Sequence, residues 1–188
     1  MARQQIEFSE QRFKNLLLYV AKSLADDPTF GETKANKVLF FSDFEAYRRL
    51  GEPITGADYQ KNLYGPTARM YPVLRDELLR WGQLRVERRM IVDHVQDVLT
   101  PLDIEPNMEG FSQEQIAIVD AIVDEMRQYT NVEVSDLSHE KAAGWHLVEL
   151  GNSIPYESAL ISTKKPSREM FRHAKQLARE RNWANIRP

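Results

Sequence analysis

Apolar residues recur along most of the chain at the three-to-four spacing of an amphipathic helix rather than with the alternation of a strand. Phe13, Leu16, Leu17, Val20 and Leu24 form the first such stripe. Ser9 is placed to cap it, Phe8 to pack on Phe13 as a hydrophobic staple, and Asp26-Asp27-Pro28 to end it. A second helix is predicted from about Lys34 to Leu50, where Val38, Phe41, Phe44 and Tyr47 build an apolar face too broad for a helix lying on a surface. Gly51 and then Pro53 close it. Met70, Leu74, Leu78 and Trp81 predict a third helix after Pro66, closed by Gly82. In Phe111-Ser112-Gln113-Glu114-Gln115-Ile116, a Ser-to-Gln capping box and a Phe111 to Ile116 staple open a fourth, ahead of Val119, Ile122, Val123 and Met126. A shorter fifth helix is expected from about Ser138 to Leu150, closed by Gly151. A sixth is expected from Ser167 to about Asn182, carrying Met170, Phe171, Ala174, Leu177 and Ala178.

Two stretches depart from this period. Residues 54–66 are turn-rich at both ends and are expected to be extended between them. From Leu84 to about Leu99, apolar Leu84, Val86 and Met90 alternate with Arg85, Glu87 and Arg89, which predicts a small β-hairpin turning near Asp93-His94. The expected fold is therefore mainly α, an α+β domain of about six helices with a small β element. It is expected to be one domain over residues 1–188, with an N-terminal helix in 1–33, a core in 34–160 and a basic C-terminal helix in 161–188.

Composition narrows the function classes. Among 188 residues, 42% are hydrophobic and 28% charged, values that disfavour disorder along the whole chain and membrane spanning alike. The absence of cysteine removes disulfides, thiolate nucleophiles and Cys-ligated zinc, and it fits a reducing compartment. Met1 to Glu7 lack the apolar run of a signal peptide, so a cytoplasmic protein with no membrane partner is expected. The net charge is only −3, yet it is unevenly spread. Residues 93–140 hold twelve acids and one base, whereas from Lys164 onward there are eight bases and two acids. Either the basic last helix folds back on the acidic segment or is simply solvated, or one pole steers a partner.

Catalytic motifs are scarce. The chain contains no phosphate-binding Gly-rich loop, no nucleophile elbow and no His-Glu-x-x-His. His139 and His146 are seven residues apart, which on a continuous helix puts the imidazoles roughly 10 Å apart, too far to share an ion. No metal or cofactor is expected. With Ser138 as cap, His139 would sit in a first helical turn, where the dipole disfavours the imidazolium form. It reads more readily as a neutral, hydrogen-bonded histidine than as a general base, because no nucleophile or paired carboxylate is placed with it. Asp43 and Glu157 lie in apolar surroundings, and a buried carboxylate needs donors that His139, Lys37 or Tyr59 could supply. Arg85, Arg88 and Arg89 could touch phosphate, as could the basic last helix. Neither has the interleaved aromatics or two-helix turn of a nucleic-acid reader, so nucleic acid is not an expected partner.

An ordered set of segments resembles a known family. These are Lys37-Val38-Leu39-Phe40-Phe41-Ser42-Asp43-Phe44, Gly51-Glu52-Pro53-Ile54-Thr55-Gly56-Ala57-Asp58-Tyr59, Tyr64-Gly65-Pro66, Ser138-His139 with Trp145, and Ile154-Pro155-Tyr156-Glu157. Over about residues 34 to 160 the chain resembles the Panacea, or SocA-like, antitoxin domain. The resemblance implies a mainly helical, non-enzymatic domain that neutralises a toxin protein encoded beside it, in bacteria or their phages. One member of that family presents its toxin to a protease, so a protease is a further possible partner. Asp43, Tyr59, Tyr64, Gly65, Pro66, Ser138, His139, Trp145 and Glu157 would then mark the scaffold. Partner contacts would lie on the surface outside it, with Asp120, Asp124 and Glu125 as candidates facing a basic toxin. The alternatives are a proteolytic adaptor delivering the toxin to a protease, or a small hydrolase or nucleotide-modifying enzyme using His139 with Asp43 or Glu157.

Overall fold

The computed structural model describes residues 6–91 and 94–161, with positions 172 and 176 besides. The first helix, α1 (Glu10–Ser23), starts as its sequence dictates: Ser9 caps the Arg12 amide, and Phe8 meets Phe13 edge-on at 6.1 Å. The second, α2 (Glu32–Leu50), is the central element, packed against α1 and, through its other faces, against later helices and a strand. That position accounts for its broad apolar face. Gly51 ends it with a left-handed φ of 85°.

The chain then crosses in a short antiparallel pair, β1 (Tyr59–Gln60) with β2 (Thr67–Ala68), in which Tyr59 pairs with Ala68. Gln60 also bridges to Ser153, so the extended stretch foreseen within 54–66 is gripped from two sides. Next come α3 (Tyr71–Arg80) and the hairpin of β3 (Leu84–Ile91) and β4 (His94–Pro101), in register from Leu84 with Pro101 to Ile91 with His94. The expected turn near Asp93 falls at positions outside the described residues.

The fourth helix, α4 (Gln113–Arg127), opens on the expected capping box, with Ser112 and Gln115 bonded reciprocally. Phe111 is half-buried, with the Arg12 guanidinium 4.2 Å above its ring. The predicted fifth helix is different in the structure. Instead of one helix from Ser138 to Leu150 there is α5 (Asn131–Lys141), capped by a second box at Thr130 and Glu133, then a break at Ala142 and the short α6 (Ala143–Leu147). Residues 156–160 form a 3₁₀ turn against α2. The helix expected from Ser167 lies outside the described residues, apart from helical Arg172 and Gln176.

The result is a mainly helical molecule with two small antiparallel strand pairs. One continuous core runs from Phe13 and Leu16 through Val38, Phe40 and Phe44 to Val119, Val123 and Val134. No helix among the described residues is long and apolar enough to cross a membrane.

Candidate functional site

Helix α2 carries three buried ionisable side chains, Lys34, Lys37 and Asp43, and each organises a different part of the molecule. Lys34 is fully satisfied: its ammonium donates to Asp27 Oδ2 at 2.6 Å, Thr29 Oγ1 at 2.7 Å and the Tyr129 carbonyl at 2.6 Å. This ties the turn after α1 to the end of α4. Asp43 is fully buried and accepts from the Thr55 amide at 2.7 Å, the Thr55 hydroxyl at 2.5 Å and the Tyr59 hydroxyl at 2.8 Å. Burial raises its pKa, and these donors pull in the opposite direction. Tyr59 is among the donors expected for it. Lys37 and His139, expected as donors too, do not bond Asp43: Lys37 donates instead to a backbone carbonyl, that of Pro66 at 3.0 Å. Lys37 is 1% exposed, and burial pushes its pKa down to about 8.

Lys37 reaches the loop between β1 and β2, which is fixed from every side. Gly65 adopts φ 92°, and a Cβ there would run into Ser138 Oγ and stand 2.9 Å from Lys37 Cε. The Ser135 hydroxyl donates to the Tyr64 carbonyl at 3.1 Å, and Trp145 Nε1 to the Asn62 carbonyl at 3.0 Å. Lys61 donates to the Val148 carbonyl at 3.0 Å, with its ammonium 4.3 Å above the Trp145 ring. Tyr64, Gly65, Pro66, Ser138, His139 and Trp145 thus meet in one place, although about 70 or more residues separate the two groups.

Ser138 corrects one expectation. It lies in the last turns of α5, fully buried, donating to the Ser135 carbonyl at 2.7 Å, and it does not cap a helix. His139 is therefore near the negative end of its helix, not the positive one. Its pKa is nevertheless lowered, chiefly by burial and then by Lys37, against Asp136, which raises it. The ring stacks on Trp145 at 4.3 Å, bonds the backbone of Leu63, and leaves Nε2 without a partner among the described residues. Because the chain breaks at Ala142, His146 folds back to place Nε2 2.6 Å from the His139 carbonyl, so the straight-helix spacing does not apply. Among the described residues no three His, Cys, Asp or Glu side chains converge as a metal site would need.

Glu157, expected in apolar surroundings, is exposed, on the rim of an open cleft of about 760 Å³ that also contains Arg12, Tyr47 and Glu52. Asp43 is bonded to Thr55 and Tyr59, and the carboxylate that acts on His139 is Asp136. On the hairpin, Arg85 and Arg89 pair with Glu87, and Arg88 with Asp97, so two carboxylates offset most of the charge of the three arginines that could have met phosphate. Of the candidate partner contacts on α4, Asp120 accepts from Tyr19 at 2.6 Å, Glu125 pairs with Lys141 at 2.5 Å, and Asp124 is exposed.

Two residues that the sequence pattern does not single out hold the site's borders. Arg12 donates to the carbonyls of Ile54 and Gly110 and to Gln115, joining three segments. Arg69 donates to Asp58, Gln60 and the Gly151 carbonyl, fixing the strand pair to the 151–153 turn. A third, Leu63, is 66% exposed beside Tyr64 at 73%, and the signal for it is a large apolar residue inside a turn-rich stretch.

The fold and the site define a helical scaffold built around one central helix and tied together by buried polar knots. Residues 36–146, more than half of the chain, match the model of the antitoxin SocA-like, Panacea domain, and the protein belongs to that family. No curated protein and no solved structure matches the chain.

Proposed function

We propose that the protein is the antitoxin of a toxin–antitoxin pair, neutralising a cognate toxin by direct protein–protein binding in the cytoplasm. Membership of the antitoxin-like family over residues 36–146 carries this reading. The binding area would be of standard size, roughly 1,600 Å² over both partners, enough to cover or distort a toxin's active surface. The acids of α4 support a basic partner: Asp120 and Asp124 are exposed, Glu125 is half-buried beside Lys141, and exposed charge of one sign raises the rate of encounter with the opposite sign. The scaffold residues Asp43, Tyr59, Gly65 and Ser138 would act only by holding the binding surface in shape.

Co-expression tests it. The product of the adjacent open reading frame should arrest growth alone and be harmless when this chain is present. Harmlessness alone, or arrest that persists with this chain present, would overturn the reading.

A further inference from the structure

The loop from Asn62 to Pro66 is held by its backbone and presents its side chains. Its carbonyls at Asn62, Tyr64 and Pro66 accept from Trp145, Ser135 and Lys37, and inside the loop the Gly65 amide donates to the Asn62 carbonyl at 3.0 Å. One of these supports is costly. An ammonium buried against a single carbonyl acceptor disfavours the fold, yet Lys37 is spent on this loop.

What the loop displays is apolar. Leu63 is 66% exposed and Tyr64 73%. On α5, Val132 lies one turn before Ser135, the residue that grips Tyr64, and it is 71% exposed. A connection that served only to reverse the chain would be made of small polar residues; large apolar side chains on a rigid, exposed support are the mark of a contact surface. Rigidity also lowers the ordering cost of binding, and tyrosine is among the residues that most often dominate interface energy. Acids border the loop on the α5 side, while the base next to it in sequence, Lys61, is held on the Val148 carbonyl and the Trp145 ring. Glu133, Asp136 and Glu140 are exposed along α5, Glu133 with one oxygen taken up by the Thr130 cap, and the helix's one lysine, Lys141, is turned to Glu125 on α4.

We propose that Leu63, Tyr64 and Val132 form the apolar anchor of a docking surface for a basic protein partner. That partner sets an apolar pocket over the anchor and lysine or arginine side chains against Glu133, Asp136 and Glu140. On the antitoxin reading, on which this rests, the partner is the toxin. The family-like Tyr64-Gly65-Pro66 and Ser138-His139 segments then support the contact surface as well as the core.

The experiment titrates the purified full chain against the purified product of the adjacent reading frame, comparing wild type with Leu63→Glu, Tyr64→Glu and the milder Tyr64→Ser. Each is read alongside its melting temperature and its sedimentation alone. Both glutamate variants are expected to melt as the wild type does and to bind at least about 30-fold more weakly, with Tyr64→Ser intermediate. Binding within about threefold of wild type by all three overturns the docking surface and leaves the antitoxin reading standing. A wild-type chain that does not bind the product at all overturns that reading, and the docking surface falls with it. A wild-type dimer that Tyr64→Glu splits shows that a second copy covers the patch, and it too overturns the proposal.

Discussion

At Gly65 the chain needs glycine for two separable reasons, a left-handed φ of 92° and the closeness of Ser138 and Lys37. Gly51 has only the first, since φ is 85° and nothing stands within 4 Å of where a Cβ would lie. Gly51→Ala should therefore cost about 1 kcal/mol, the ordinary strain of an L-residue there, and Gly65→Ala about 2–4 kcal/mol once overpacking against a buried serine and lysine is added. Urea unfolding of both variants measures the difference, and equal losses would contradict the packing seen around Gly65. Lys37 makes a pH-dependent prediction. Its folded pKa lies near 8 and its ordinary value is 10.5, so between those values the unfolded chain holds a proton that the folded chain has released. Stability must then rise with pH in that window, by about 2 kcal/mol from about pH 8 to about pH 10. Above about pH 10, Tyr59 and Tyr71, whose pKa values are raised by burial, turn the slope downward. Lys37→Met should abolish the rise, which chemical denaturation at several pH values across the window would reveal. The sequence made Asp43 and its Tyr59 partner legible, because a carboxylate on an apolar helix face advertises its need for donors. It misdirected Lys37, because the acceptor is a backbone carbonyl 29 residues away, and carbonyls leave no mark on a residue pattern.

Elements were legible where burial and end signals coincided. The start of α4 shows both a capping box and a run of buried Ile118, Val119, Val123 and Met126. The start of α5 shows the same box, Thr130-Asn131-Val132-Glu133, but the helix buries only Val134 and Ser138, so it has almost no apolar period to announce it. The pattern accordingly points to a start at Ser138, a serine that resembles a cap and is in fact buried in the final turns, whereas the true cap is Thr130. The two boxes are physically alike, each with the Ser or Thr hydroxyl bonded to the third amide and the third side chain bonded back. Ser112→Ala and Thr130→Ala should each cost about 1 kcal/mol, measured by thermal unfolding. If Thr130→Ala were silent, the ordering of α5 would have to come wholly from its packing on α2, and the cap would be incidental. The hairpin was legible from alternation alone, whereas β2 was not, since two residues are too few to show a period.

Over the whole molecule, exposed acids of α4 (Asp120, Asp124) and of α5 (Glu133, Asp136, Glu140) and the exposed apolar Leu63 and Tyr64 are carried by separate elements. Charges and anchor should act on different steps of association. Long-range attraction by Asp120, Asp124 and Glu125 increases the frequency of productive encounters, and salt weakens it as the screening length falls from about 10 Å at about 0.1 M to about 3 Å at about 1 M. Desolvated apolar contact at the anchor acts after encounter, on the dissociation rate, and is far less sensitive to salt. Replacing Asp120 and Asp124 by Asn and Glu125 by Gln keeps an acceptor for Tyr19 and for Lys141 and preserves side-chain volume, so only the exposed Glu125–Lys141 ion pair is weakened and the fold is expected to be retained. With the toxin as partner, stopped-flow mixing should show the triple variant associating about tenfold more slowly at low salt, converging on wild type near about 1 M, with its dissociation rate nearly unchanged. Tyr64→Ser should do the reverse, leaving association almost intact and accelerating dissociation. A triple variant that associates as fast as wild type at every salt concentration would remove steering from α4 and leave the α5 acids and the anchor to account for binding.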